Sequence, residues 1–183
     1  MLDLKTITIN IPNKQAKKLI EEYKSNKEKK RIESEKWVFN QEEYQYENQI
    51  KNIKNILNKN YNYSDDISKI MLQQISKKIY GYKQQDTIKK RFNESKFINI
   101  QSIINKMIEC ELKCYYCCKE MLVLYDISRE IKQWSVDRID NDTGHNLDNY
   151  YLACLECNLK RRRRNDEKFL FTKQLKLIKK DDS

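Results

Sequence analysis

The stretch Trp134–Arg164, WSVDRIDNDTGHNLDNYYLACLECNLKRRRR, decides how this chain reads. It holds a run of acidic residues and asparagines, the chain's single histidine, a Cys-x-x-Cys pair and five consecutive basic residues. WSVDRID alternates, setting Trp134, Val136 and Arg138 on one side and Ser135, Asp137 and Ile139 on the other, which predicts a strand. NDTGHNLDN is rich in residues that favour turns and predicts a loop. NYYLAC predicts a second strand, and LECNLKRRRR, directly after it, a helix. The order is strand, loop, strand, helix.

The cysteines frame this unit. All six lie between Cys110 and Cys157. Cys114-Tyr-Tyr-Cys117 and Cys154-Leu-Glu-Cys157 form two knuckles, each able to turn two thiolates toward one point. In a reducing compartment such pairs favour metal over disulfides. Four thiolates leave no open position for water, so a Zn(2+) ion on Cys114, Cys117, Cys154 and Cys157 is expected to be structural. Its binding would contribute folding free energy to a module with few apolar residues. Cys110 and Cys118 are spare. A one-residue shift would put Cys118 in place of Cys117, but the two-residue gap is the more usual knuckle.

On the residues CYYC, SVDRIDNDTGHNLDN and LACLECNLKR the chain resembles the HNH endonuclease family, whose core is the ββα-metal nuclease fold. The resemblance spans residues 96–165 and is nearest to a subgroup, frequent in phages and large DNA viruses, whose first strand reads Asp-Arg-x-Asp. It implies hydrolysis of DNA phosphodiester bonds. It implies that Asp137 is the acidic metal ligand, that Asn149 braces the loop by hydrogen bonds, and that Asn158 is the second ligand of a catalytic cation. Hard oxygen donors suit Mg(2+) or Mn(2+). The chain departs from the family at Arg138, where the usual member carries the histidine that activates water. Arginine stays protonated and cannot serve as a base. Two substitutes stand nearby, Asp140 and His145, the second with the better intrinsic pKa. Arg138 would still offer its forked donors to a phosphate.

Lys160, Arg161, Arg162, Arg163 and Arg164 follow Asn158 within two turns and are expected to neutralise DNA backbone. The whole chain supports a polyanionic partner, with a net charge of +10 and a pI of about 9.2 over 183 residues. Two glycines and one proline argue against a turn-rich all-β fold.

The fold class that follows is α+β: an α-helical N-terminal region, then a small zinc-stapled ββα-metal (HNH-like) domain. The expected divisions are 1–95, mainly helical; 96–165, the zinc-bound module; and 166–183, a tail or short helix. LKTITINI at 4–11 predicts one short strand that Pro12 ends. Residues 13–60 predict one long helix, or two with a break near Trp37–Asn40. A further helix is expected from Ser64, with Ile67, Ile70, Met71, Ile75 and Ile79 on one face and Gly81 at its end. Ile100, Ile103, Ile104, Met107 and Ile108 predict another. In the tail, Phe169, Phe171, Leu175 and Ile178 would pack back onto the module. No secretory signal or membrane span is read, so a soluble intracellular protein of cytoplasm or nucleus is expected. The N-terminal helices, with KSNKEKKR at 24–31, would extend the DNA footprint or contact a protein partner. Two rival functions remain at this level, a non-catalytic zinc module that binds nucleic acid and a purely structural one.

Overall fold

A computed structural model describes residues 29–58 and 66–175. The strand expected over 4–11, the helical reading of 13–28, the cap at Ser64 and the contact of Ile178 lie outside the described residues. Among those residues the chain is α+β. Helices α1 (Tyr46–Asn58), α2 (Asp66–Ile88) and α3 (Ile100–Glu109) precede an antiparallel hairpin of β1 (Trp134–Arg138) and β2 (Tyr150–Cys154). Helices α4 (Leu155–Arg161) and α5 (Asp166–Gln174) follow it. No helix among the described residues is long and apolar enough to cross a membrane.

Some boundaries differ from the sequence reading. Residues 29–45 are not helix but turns, with short 3-10 segments at Ser34–Lys36 and Gln41–Tyr44. Trp37, Phe39 and Tyr44 cluster there, with ring centroids 5.2–6.4 Å apart, and their mutual packing outweighs the helix propensity of the polar residues between them. Arg31 also turns inward, with its guanidinium 4.3 Å from the Tyr125 ring and Nη2 donating to Gln74 at 2.7 Å. Gly81 does not end its helix. Helix α2 runs through it to Ile88 and stops where Lys90 takes a left-handed φ of 56°. There the Lys90 and Arg91 amides donate back to Thr87 and Asp86, a Schellman-type closure. In α5 only one of the expected apolar anchors is buried: Phe169 is inside, while Phe171 and Leu175 are 66% and 51% exposed. A nine-residue helix capped by Asn165 has room to bury one narrow stripe, and Phe171, two positions on from Phe169, falls off it.

One core crosses the division drawn at residue 95. Ile53 of α1, Met71 and Ile75 of α2 and Ile104 of α3 belong to the same buried cluster as Trp134 and Val136 of β1. Strand β1 is covered on both sides, so all its residues but Arg138 are buried. On one side α2 presents Lys78, Tyr82 and Asp86, which lie a helical turn apart. Lys78 donates to Gln133 Oε1 at 2.9 Å and to the Trp134 carbonyl, and the Tyr82 hydroxyl accepts the Val136 amide at 3.0 Å. On the other side lies α4, which starts without a loop because Cys154 closes β2 and also caps the helix, its Sγ accepting the Cys157 amide. Helix α1 is tied in by Gln49, fully buried, whose side chain bonds both amides of Val123 and Leu124 and the Leu124 carbonyl. All its polar atoms are satisfied, as burial demands.

Candidate functional site

The hairpin and the knuckle at 112–121 bring Cys114, Cys117, Cys154 and Cys157 together, with all four sulfurs within 4.8 Å of one another. The Cys117 and Cys154 sulfurs are 3.9 Å apart. A tetrahedral zinc with bonds of about 2.3 Å sets its sulfurs about 3.8 Å apart, so the donor set is compatible with a structural zinc site. Hydrogen bonds from Cys154 and Cys157 push the Cys114 thiol down, and that same hydrogen bonding pushes Cys157 up. Packed this closely, the thiols cannot all ionise unless a cation offsets their charge. Neither spare cysteine joins the cluster. Cys118 is exposed, takes the left-handed φ of 56° that turns the knuckle, and lies 3.8 Å from Gln174 Nε2. Cys110 Sγ faces the Met107 carbonyl at 3.7 Å.

At the end of β1, Asp137 is only 3% exposed. Its Oδ1 accepts from Arg161 Nη1 at 3.0 Å and its Oδ2 from the Tyr116 hydroxyl at 2.6 Å. Burial pushes its carboxyl above the ordinary range, with Tyr116 and Arg161 pulling the other way. Arg161 donates further to the carbonyls of Arg138 at 2.8 Å and Ile139 at 2.7 Å, so one guanidinium fastens the strand end to α4. Three residues earlier on the helix, Asn158 donates its amide to Ser135 Oγ at 3.1 Å and the Val136 carbonyl at 3.2 Å. Its side-chain carbonyl oxygen, Oδ1, has no hydrogen-bond donor among the described residues, whereas its backbone carbonyl accepts the Arg162 amide at 3.2 Å. Ser135 and Asp137 alternate onto one face, so Asn158 and Arg161 lie over the same side of β1.

The loop between the strands is held by two buried residues. Asn149 donates to the Asp140 and Gly144 carbonyls and to Thr143 Oγ1, and accepts the Asp140 amide at 2.8 Å. His145 is fixed from α2: its Nδ1 lies 2.8 Å from Asp86 Oδ1, its amide donates to Asp86 Oδ2 at 2.6 Å, and its ring stacks on Tyr82 at 4.5 Å. Burial pushes the imidazole below its ordinary value, and Asp86 pulls it back. Gly144 is required here. A Cβ would lie 2.5 Å from the Arg91 carbonyl oxygen and 2.9 Å from Asp86 Oδ2. Asp140 is exposed, and one of its oxygens accepts the Asp142 amide at 2.8 Å. Arg138, half-buried, donates to the Thr143 carbonyl at 3.0 Å.

The basic run divides. Arg161, grouped above with the DNA contacts, is 1% exposed and committed to Asp137 and two carbonyls, so it is withdrawn from that role. Lys160, Arg162, Arg163 and Arg164 are exposed. Lys160 pairs with Glu156 one turn back, Arg163 reaches Asp142 at 2.7 Å, and the Arg164 guanidinium lies 5.3 Å from the Phe169 ring. Of the tyrosines at the first knuckle, Tyr116 is buried against Asp137, and Tyr115 stacks face to face on Tyr151 with centroids 3.6 Å apart.

Asp86, Tyr82 and Arg91 escaped the sequence reading. The signal for the first two was present: a tyrosine and an acid four residues apart continue the inward face of α2 from Ile75 and Lys78. Compared with known proteins, the chain matches no family model, no curated protein and no solved structure.

Proposed function

We propose that this chain is an HNH-type endonuclease that hydrolyses DNA phosphodiester bonds with Mg(2+) or Mn(2+), on a ββα core stapled by structural zinc. The observation that carries the reading is the placement of α4 across the end of β1, with Asn158 and Arg161 over the face that bears Ser135 and Asp137. The open carbonyl oxygen of Asn158 and the remaining lone pairs of the Asp137 carboxylate are hard donors on one side of the hairpin. A divalent cation held there would supply charge to the leaving oxygen and polarise the ester. Arg138, Lys160 at the end of α4 and the exposed Arg162, Arg163 and Arg164 just beyond it bind the phosphate backbone. Asp140, exposed just beyond the strand end, takes the proton from water. His145 serves the loop instead, because its side chain is 4% exposed and Asp86 and Tyr82 hold its ring.

The test is nicking of supercoiled plasmid by zinc-loaded protein in Mg(2+) or Mn(2+). Wild type is expected to nick only with the cation present. Asp140→Asn should lose about a hundredfold or more in turnover, the usual worth of a general base, and Asn158→Ala should be comparably impaired with its fold intact. A second reading is favoured by one observation: the Asp137 carboxylate is already neutralised by Arg161 and capped by Tyr116. On that reading the chain is a non-catalytic zinc-stapled module that binds nucleic acid. Duplex binding without nicking in either metal would select it.

A further inference from the structure

We infer that the C-terminal end of α2, with Lys89, Lys90 and Arg91, forms one phosphate-binding surface with Arg138, Arg162 and Arg163, and that its partner is the backbone of duplex DNA. The identity of the polyanion rests on the endonuclease reading; the surface itself does not. These residues come from three segments far apart in sequence. The Schellman-type turn at Lys90 swings the chain back, and Arg91 then donates to the Asn141 carbonyl and, at 3.2 Å, to Asp142 Oδ1. Arg163, beyond α4, donates to that same oxygen at 2.7 Å. The Asn141 side chain reaches the Arg162 carbonyl at 3.3 Å. The Arg91 backbone approaches Gly144 so closely that no side chain fits between them.

Two guanidiniums thus converge on one exposed carboxylate oxygen, an arrangement that a phosphate oxygen would reproduce. The Asp142 and Arg163 side chains are 65% and 72% exposed. Ion pairs this exposed are weak, so a polyanion can displace the carboxylate. Lys89 and Lys90 stand exposed beside them. Lys89 and Arg138 both act on the buried His145, and Arg91 acts on Arg138, so their fields overlap. Forked donors and point charges along one edge suit a backbone of regularly spaced phosphates. Helix α2 thereby belongs to the DNA footprint as well as to the core.

The experiment measures binding of zinc-loaded full-length protein to a short DNA duplex, without Mg(2+), at rising KCl. Lys89→Ala/Lys90→Ala should weaken binding and make the log–log salt slope shallower by about 1.8, two phosphate contacts' worth. Asp142→Asn should act in the opposite direction, binding about two- to fivefold tighter, which loss of fold cannot mimic. Lys51→Ala/Lys54→Ala, exposed on α1, should leave the slope unchanged. Wild-type affinity and slope in the Lys89/Lys90 variant, or an equal change in the α1 control, overturns the inference even if plasmid nicking persists. Loss of nicking with these shifts retained removes the catalytic reading alone. Failure of wild type to bind duplex at low salt overturns both.

Discussion

Arg161 and Arg163 are neighbours in one basic run, yet the fold uses them in opposite ways, and replacing each with alanine separates them. Arg161 and Asp137 are 1% and 3% exposed and 3.0 Å apart. Removing one member of a buried pair leaves an uncompensated charge and costs about 3–5 kcal/mol. The Arg138 and Ile139 carbonyls also lose a donor, though water can enter the space the side chain leaves and solvate them. For a chain of this size each kcal/mol lowers Tm by about 2–4 °C, so Arg161→Ala should melt about 6–20 °C below wild type. Arg163 pairs with Asp142 in solvent, so Arg163→Ala should cost at most about 1 kcal/mol. The assay is thermal and urea denaturation of zinc-loaded protein followed by circular dichroism. Arg161→Ala melting within about 2 °C of wild type, or Arg163→Ala falling as far, would refute the assignment. Asp137→Ala strands Arg161 just as surely, so its loss of activity would report unfolding as much as chemistry, and Asn158→Ala is the cleaner probe.

Purified protein should carry one zinc per chain by elemental analysis. Serine at Cys114, Cys154 or Cys157 should abolish it and lower Tm, while Cys110→Ser and Cys118→Ser should retain it. Gly144→Ala should destabilise by about 1–3 kcal/mol, since the methyl group meets backbone at Arg91 rather than a movable side chain; a neutral effect in urea denaturation would contradict that contact. Burial lowers Lys78 from its ordinary 10.5 to about 7, with Arg31 adding to the shift, and also lowers His145 from 6.5. For both groups the unfolded chain binds more protons, so their contribution is full above the unfolded pKa and is lost as pH falls. Lys78→Met should therefore flatten the stability profile between pH 7 and 10.5, and His145→Gln should flatten it below pH 6.5. Variants that steepen those limbs would reverse the sign argued here.

The cluster of paired cysteines, both strands and the helix after Cys154 were legible because their signals are local: a two-residue cysteine gap, a period of two, and a run without glycine or proline after Cys154. Helix α3 was legible from its apolar spacing alone. The turns at 29–45 were not, because the choice between helix and aromatic cluster depends on contacts with distant segments. The fate of the basic run was hidden for a different reason. Five consecutive cations look alike in sequence, and only the register of a seven-residue helix against β1 selects Arg161 for the interior. Asp86 stands on the inward face of α2, but nothing local names its partner, His145, which lies 59 positions further along the chain.

Because β1 is gripped from both sides, the segment bearing the cysteines and the acidic strand is not a portable cassette. Cut away from α2, it would expose Trp134 and Val136 to water and leave His145 without its anchor. Descent or engineering that moved this hairpin to another protein would have to carry the helix along, or supply a new one with a tyrosine and a carboxylate one turn apart.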